Sequence, residues 1–264
     1  MAAHRHVPRK RFGQHFLVDR GIVERIVDEI SPLPGDHLLE IGPGLGALTA
    51  PLLERVDRLH AIELDRDLAR RLRESHPPHR LSVHQADALR FDFSTLPAPL
   101  RVVGNLPYNI STPLLFHLAA SAQRYADLHF MLQQEVVDRM VAGPSEPEYG
   151  RLSVMLQYRF RLERLFAVGP EAFRPPPKVH SAVVRLVPRA IPELQALDEA
   201  EFSRVVAKAF SMRRKTLRNA LSGIVSEANL LELGIDPGAR AEALPVAAFV
   251  TIANRTQKGR IWTL

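Results

Sequence analysis

The sequence predicts an α/β protein: a parallel sheet wound on both faces by helices, followed by a small all-helical domain. Three observations carry this expectation. Short apolar runs alternate with helix-like stretches from residue 37 to 132, a glycine-rich turn follows the first of those runs, and beyond residue 191 only helical periodicity remains. The expected domains are residues 1–190, with 1–11 as a flexible basic tail, and 191–264.

Residues 1–11 are polar and basic and contain Pro8, the composition of a segment without a fold of its own. Phe12-Gly13-Gln14-His15-Phe16-Leu17 then sets a glycine and two aromatics ahead of a helical run at 22–30, suiting either a loop that folds back or a hydrophobic staple for that helix. After Ser31-Pro32-Leu33-Pro34-Gly35, a strand at 37–41 runs into Gly42-Pro43-Gly44-Leu45-Gly46 and a helix from about 47 to 55. Further strands are expected at 60–62, 81–84, 101–104 and 127–132, each separated by a helical segment. In such a sheet, ligands lie outside the carboxyl ends of the strands, where Glu63, Asp87 and Asn105 fall. A helical pattern at 150–157 precedes two more strands, 162–168 and 179–186, around Phe173-Arg174-Pro175-Pro176-Pro177. Consecutive prolines exclude helix and stiffen the loop, so Phe173 is expected on a rigid arm. Residues 188–197 have the composition of a linker, and apolar positions 202, 205, 206, 209, 210, 217, 221 and 224 then recur with helical period.

With 264 residues and 46% hydrophobic content the chain can bury a proper core, and a monomer that folds alone is expected. No apolar run approaches the roughly 18 residues of a membrane span, and no secretory segment opens the sequence, so a cytoplasmic location is expected. The absence of cysteine removes disulfides, thiolate nucleophiles and cysteine-held metal or iron–sulfur centres. The 11 histidines form no HExxH pair, so no metal is expected. Charge is more telling. Two acid-free stretches hold Arg5, Arg9, Lys10 and Arg11, then Arg204, Lys208, Arg213, Arg214, Lys215 and Arg218. Removing those ten turns 35 basic against 29 acidic residues into 25 against 29. Basicity gathered in this way suits a polyanion.

Gly42-Pro43-Gly44-Leu45-Gly46-Ala47 fits GxGxxA, and Glu63 stands where a carboxylate would accept ribose hydroxyls. The same device serves a nicotinamide dinucleotide or the adenosine of S-adenosylmethionine, and the loop alone leaves both open. Asn105-Leu106-Pro107-Tyr108 decides between them. The exocyclic nitrogen of adenine is a weak nucleophile because its lone pair is delocalised. Two acceptors on its amino hydrogens, the Asn105 side-chain oxygen and a carbonyl freed by the Pro107 turn, would localise that pair, while Tyr108 stacks on the ring.

The motifs Phe12 to Leu17, Glu40 to Gly46, Ile62-Glu63-Leu64-Asp65, Asn105 to Thr112, Gly150-Arg151-Leu152-Ser153-Val154, Phe173 to Val179 and Arg213 to Asn219 together resemble the ribosomal RNA adenine dimethyltransferase family, its bacterial small-subunit branch above all. The resemblance covers nearly the whole chain. It implies a Rossmann-like class I S-adenosylmethionine-dependent methyltransferase domain with a helical C-terminal domain. It also implies dimethylation of two adjacent adenosines in a hairpin loop near the 3′ end of small-subunit rRNA, within an immature subunit. By the same resemblance His15, Leu17, Gly42, Gly44, Glu63, Asp87, Ala88 and Asn105 would contact S-adenosyl-L-methionine. Asn105, Leu106, Pro107 and Tyr108 would hold the base, Phe173 would close its other face, and Arg213, Arg214, Lys215 and Arg218 would touch RNA. One departure is His15, where the family often has Asn. Among rivals, a relative acting on large-subunit RNA usually has Ile second in the tetrapeptide, and a DNA adenine methyltransferase usually shows two prolines after the Asn. A non-catalytic assembly factor would have no use for the glycine loop.

Overall fold

The computed structural model describes residues 14–190, 195–212 and 214–261. The basic tail and Arg213 lie outside the described residues. The chain forms two compact units, one of Met1–Val137 with Leu162–Pro188 and the other of Asp138–Arg161 with Arg189–Leu264.

In the first unit the strands are β1 (Phe16–Leu17), β2 (His37–Ile41), β3 (Leu59–Glu63), β4 (Leu81–Gln85), β5 (Leu100–Asn105), β6 (Tyr125–Gln133), β7 (Phe160–Val168, whose first two residues belong to the second unit), β8 (Phe173–Arg174) and β9 (Ser181–Pro188). The helices are α1 (Arg20–Ile30), α2 (Thr49–Arg55), α3 (Arg66–Ser75), α4 (Ser111–Ala119) and α5 (Gln134–Val141), the last running on into the second unit. Seven strands form one sheet in the order β4-β3-β2-β5-β6-β9-β7. β2 through β6 pair in parallel and β9 runs antiparallel to β6. Leu38, Leu39, Val102 and Val103 are all inaccessible, as a parallel sheet covered on both faces requires. The order reverses between β2 and β5, which makes the carboxyl ends of those two strands the place for a ligand.

Two sequence expectations give way here. Between β4 and β5 there is no helix, only a 3-10 turn at Phe93–Thr95. Pro97 and Pro99 lack N–H donors and bias the residues before them away from helix. The domain division is also not a single cut near residue 190. The second unit begins again at Arg189, but it also takes in Asp138–Arg161, because α6 (Arg151–Arg159) packs Tyr158 against Phe202 of α7 (Glu199–Ala209) with ring centroids 4.4 Å apart. Val205, Val206, Leu217, Leu221, Phe249 and Ile252 complete that core, matching the helical periodicity of the sequence.

At the amino end of the sheet, Arg101 of β5 joins three elements. It bonds Asp127 of β6 through Nε at 2.9 Å and Nη2 at 2.8 Å, Asp36 at 2.7 Å, and the Ile30 carbonyl at the end of α1 at 2.6 Å. Hydrogen bonding to Asp127, against the cost of burial, raises the guanidinium pKa further. Arg101→Ala would leave the buried Asp127 and the largely enclosed Asp36 without their guanidinium and is expected to lower stability by about 3 kcal/mol. Urea unfolding checks this, and a loss below about 1 kcal/mol would show that water replaces the guanidinium.

Candidate functional site

The loop after β2 is built from left-handed backbone, with φ of +71° at Gly42 and +58° at Gly44, where a side chain would be strained. A Cβ on Gly44 would also press 3.2 Å from the Phe16 ring of β1. The Gly44 N–H donates to Glu63 Oε2 at 3.1 Å, and the Asp65 N–H donates to Glu63 Oε1 at 2.9 Å. Glu63 therefore fixes the loop while keeping further lone pairs for a ligand. Burial raises its pKa, and the amide bonds oppose that rise. Beyond β4, Asp87 Oδ1 accepts the Leu89 N–H at 2.9 Å, which holds Asp87 and Ala88 at the rim.

Across the reversal point, Asn105 ends β5. Its Nδ2 donates to the His15 carbonyl at 3.1 Å, leaving Oδ1 as an acceptor. The Leu106 N–H donates to Met131 O at 3.1 Å, and the Ile110 N–H closes a turn on Pro107 O at 3.2 Å. Among the described residues no group donates to the Leu106 carbonyl. Tyr108 stacks on His15, with centroids 5.7 Å apart and planes 24° apart, and its hydroxyl lies 2.7 Å from Ser181 Oγ. His15 Nδ1 lies 2.8 Å from the Pro175 carbonyl.

These groups surround one cavity of about 1070 Å³ including its open mouth. His15, Leu17, Gly42, Gly44, Glu63, Asp87, Ala88, Asn105, Leu106, Pro107 and Tyr108 all line it. Phe173 does not. Its ring is 1% exposed, buried with Leu17, Ile26 and Ile30, because β8 pairs with β1 and turns Phe173 inward and Arg174 outward. The expectation that Phe173 faces the base is corrected accordingly. Sequence reasoning also missed Glu40, which lines the cavity, and Ser181, which meets the Tyr108 hydroxyl without lining it. Glu40 was visible as the acid ahead of the glycine loop, while Ser181 carried no local signal.

The lining decides which ligand fits. It contains the carboxyl groups of Glu40, Glu63 and Asp87 and, among the described residues, no lysine or arginine. A pyrophosphate would meet acid without a counter-charge, whereas a sulfonium and an ammonium find complementary surroundings. Glycines whose added Cβ atoms would narrow the cradle, and the Glu63 carboxylate at its wall, fit S-adenosylmethionine.

The candidate RNA contacts are less uniform than their sequence suggests. Arg204 is held by Glu201 at 2.6 Å, and Arg218 lies 3.7 Å from Glu227. Arg214 and Lys215 are exposed with no acidic partner among the described residues.

Residues 5–258 match the family described as Ribosomal RNA adenine dimethylase. The chain is 62% identical over 247 residues to Ribosomal RNA small subunit methyltransferase A of Thiobacillus denitrificans, covering 94% of this chain and 97% of that one. Among solved structures it resembles a dimethyladenosine transferase from Plasmodium falciparum, with TM-score 0.80, 25% identity and coverage of 92% of this chain and 98% of that one. It also resembles the 23S rRNA methyltransferase ErmE, with TM-score 0.72, 28% identity and coverage of 92% and 99% respectively.

Glu40 is 2% exposed and accepts the Thr49 hydroxyl at 2.6 Å. Burial pushes its pKa from 4.5 up to about 7, the Thr49 bond opposes this, and Glu63 adds to it. The folded state thus binds this proton more readily than the unfolded chain. The resulting stability is complete below pH 4.5 and is lost as pH rises through about 7. Glu40→Gln, which imitates the protonated acid, is expected to raise Tm at pH 8 and to change it little at pH 5. Thermal unfolding at both pH values checks this, and an equal shift at both would remove the titration from the explanation.

Proposed function

Because the chain belongs to the ribosomal RNA adenine dimethylase family, we propose that it dimethylates two adjacent adenosines in the 3′-terminal hairpin loop of 16S rRNA, acting on an immature small subunit as a cytoplasmic monomer. It is an S-adenosylmethionine-dependent rRNA adenine dimethyltransferase. The observation that carries the finer reading is a cavity that is acid-lined and, among the described residues, free of arginine, beside an asparagine whose amide nitrogen is already engaged.

When bound, the cofactor supplies an electrophilic methyl carbon on a sulfonium. Gly42 and Gly44 would admit it closely, Glu63 would receive its ribose hydroxyls, Asp87 and Ala88 would hold its adenine, and His15 and Leu17 would complete its site. Asn105 Oδ1 and the Leu106 carbonyl accept the two amino hydrogens of the target adenine and so localise the nitrogen lone pair. Pro107 stiffens the turn that presents that carbonyl. Stacking on Tyr108 is worth about 1–3 kcal/mol, which offsets much of the few kcal/mol needed to flip a base. No strong general base is required, since the amine becomes acidic as it is alkylated. Alignment supplies most of the acceleration and electrostatics the remainder. Arg214 and Lys215 contact the RNA backbone, with Arg218 and Arg213 beside them in sequence.

Incubation of undermodified small subunits with labelled cofactor, followed by nucleoside analysis, is expected to yield dimethyladenosine. Asn105→Ala is expected to abolish that product while cofactor affinity stays within a few-fold, and wild-type turnover in this variant would reject the acceptor role. Replacing Arg214 and Lys215 together by Ala is expected to flatten the salt dependence of RNA binding by about 1–2 in log–log slope. An unchanged slope would mean that those charges only face solvent.

A further inference from the structure

Tyr108 stands in a turn whose backbone is well fixed. Besides the Pro107 bond, the Ser111 hydroxyl donates to the Tyr108 carbonyl at 3.0 Å. Neither contact restrains the ring, which turns about χ1 and χ2. Two contacts do restrain it: the His15 stack on one face, and the hydrogen bond between its far end and Ser181.

Ser181 is a firm anchor. It is the first residue of β9, pairs with Gln133 of β6, is fully inaccessible, and follows His180, whose carbonyl accepts the Gln134 N–H at 3.0 Å. Nine residues of chain therefore secure the ring on two sides, since Phe173–Ser181 also carries the Pro175 carbonyl that meets His15. Burial raises the Tyr108 pKa, so the phenol keeps the proton this bond can use.

We propose that Ser181 is a positioning residue for methyl transfer, its hydroxyl holding the Tyr108 ring plane in the orientation that receives the flipped adenine. This rests on the reading of Tyr108 as the base platform. A ring held only at Cβ sweeps through orientations that misplace the amino nitrogen. A ring held at both ends has lost that freedom before the base arrives, so the cost of alignment does not recur in each turnover.

Single-turnover and steady-state methylation of undermodified small subunits test it. Ser181→Ala is expected to lower kcat about fivefold, the worth of one hydrogen bond, with KM for the subunit and Kd for S-adenosylmethionine unchanged. Added to Tyr108→Phe, it is expected to bring no further loss, because the bond is already gone. Losses that multiply in the double variant, wild-type kinetics in Ser181→Ala, or an equal loss in cofactor affinity each overturn the proposal. Tyr108→Ala keeps the two readings apart. It is expected to cost about tenfold or more in turnover, as loss of base stacking implies, and an intact Tyr108→Ala enzyme would overturn platform and anchor together. A severe Tyr108→Ala beside a silent Ser181→Ala would overturn the anchor alone.

Discussion

The site exists because two parallel strands end almost in contact. A Cβ on Gly104 would lie 2.4 Å from the Ile41 carbonyl oxygen, closer than side-chain carbons are found, so β5 keeps its register beside β2 only with glycine there. That approach brings the next residue, Asn105, against the glycine loop. A Cβ on Gly42 would stand 3.7 Å from the Asn105 carbonyl oxygen and 3.8 Å from Pro107 Cδ. The glycine loop and the Asn105 turn thereby share one mouth, at the point where the strand order reverses.

Electrostatics then select what enters. Glu63 adds to the rise in the Glu40 pKa, and the fold accommodates the two acids differently. Glu63 is satisfied by two backbone amides, while burial keeps Glu40 protonated toward neutral pH against the opposing Thr49 hydrogen bond. The short β1–β8 pairing completes the enclosure, since it lays His15 and Phe16 over the loop and leaves Phe173 in the core.

Much of this was legible in local sequence. Strand runs such as Leu38-Leu39 and Val102-Val103 announce a buried parallel sheet, and Glu63, Asp87 and Asn105 each stand at the end of such a run. Other features depend on partners far away in sequence. Phe173 reads as an exposed arm until Leu17 pairs with it, and Arg204 and Arg218 look like free charge until Glu201 and Glu227 are seen beside them. Residues 138–161 read as part of the sheet domain because nothing in their own pattern points to Phe202.

By itself, then, the sequence determined most of the strands and helices, the glycine loop, the place of Asn105 at a strand end and the family, because each is written in adjacent residues whose spacing follows a strand or a turn. Only the tertiary structure decided which acids share a cavity, which guanidiniums are already paired, where Phe173 points and what holds the Tyr108 ring. Those depend on distances between segments as far apart as His15 and Pro175, and burial and register, which set such distances, are properties of the folded chain.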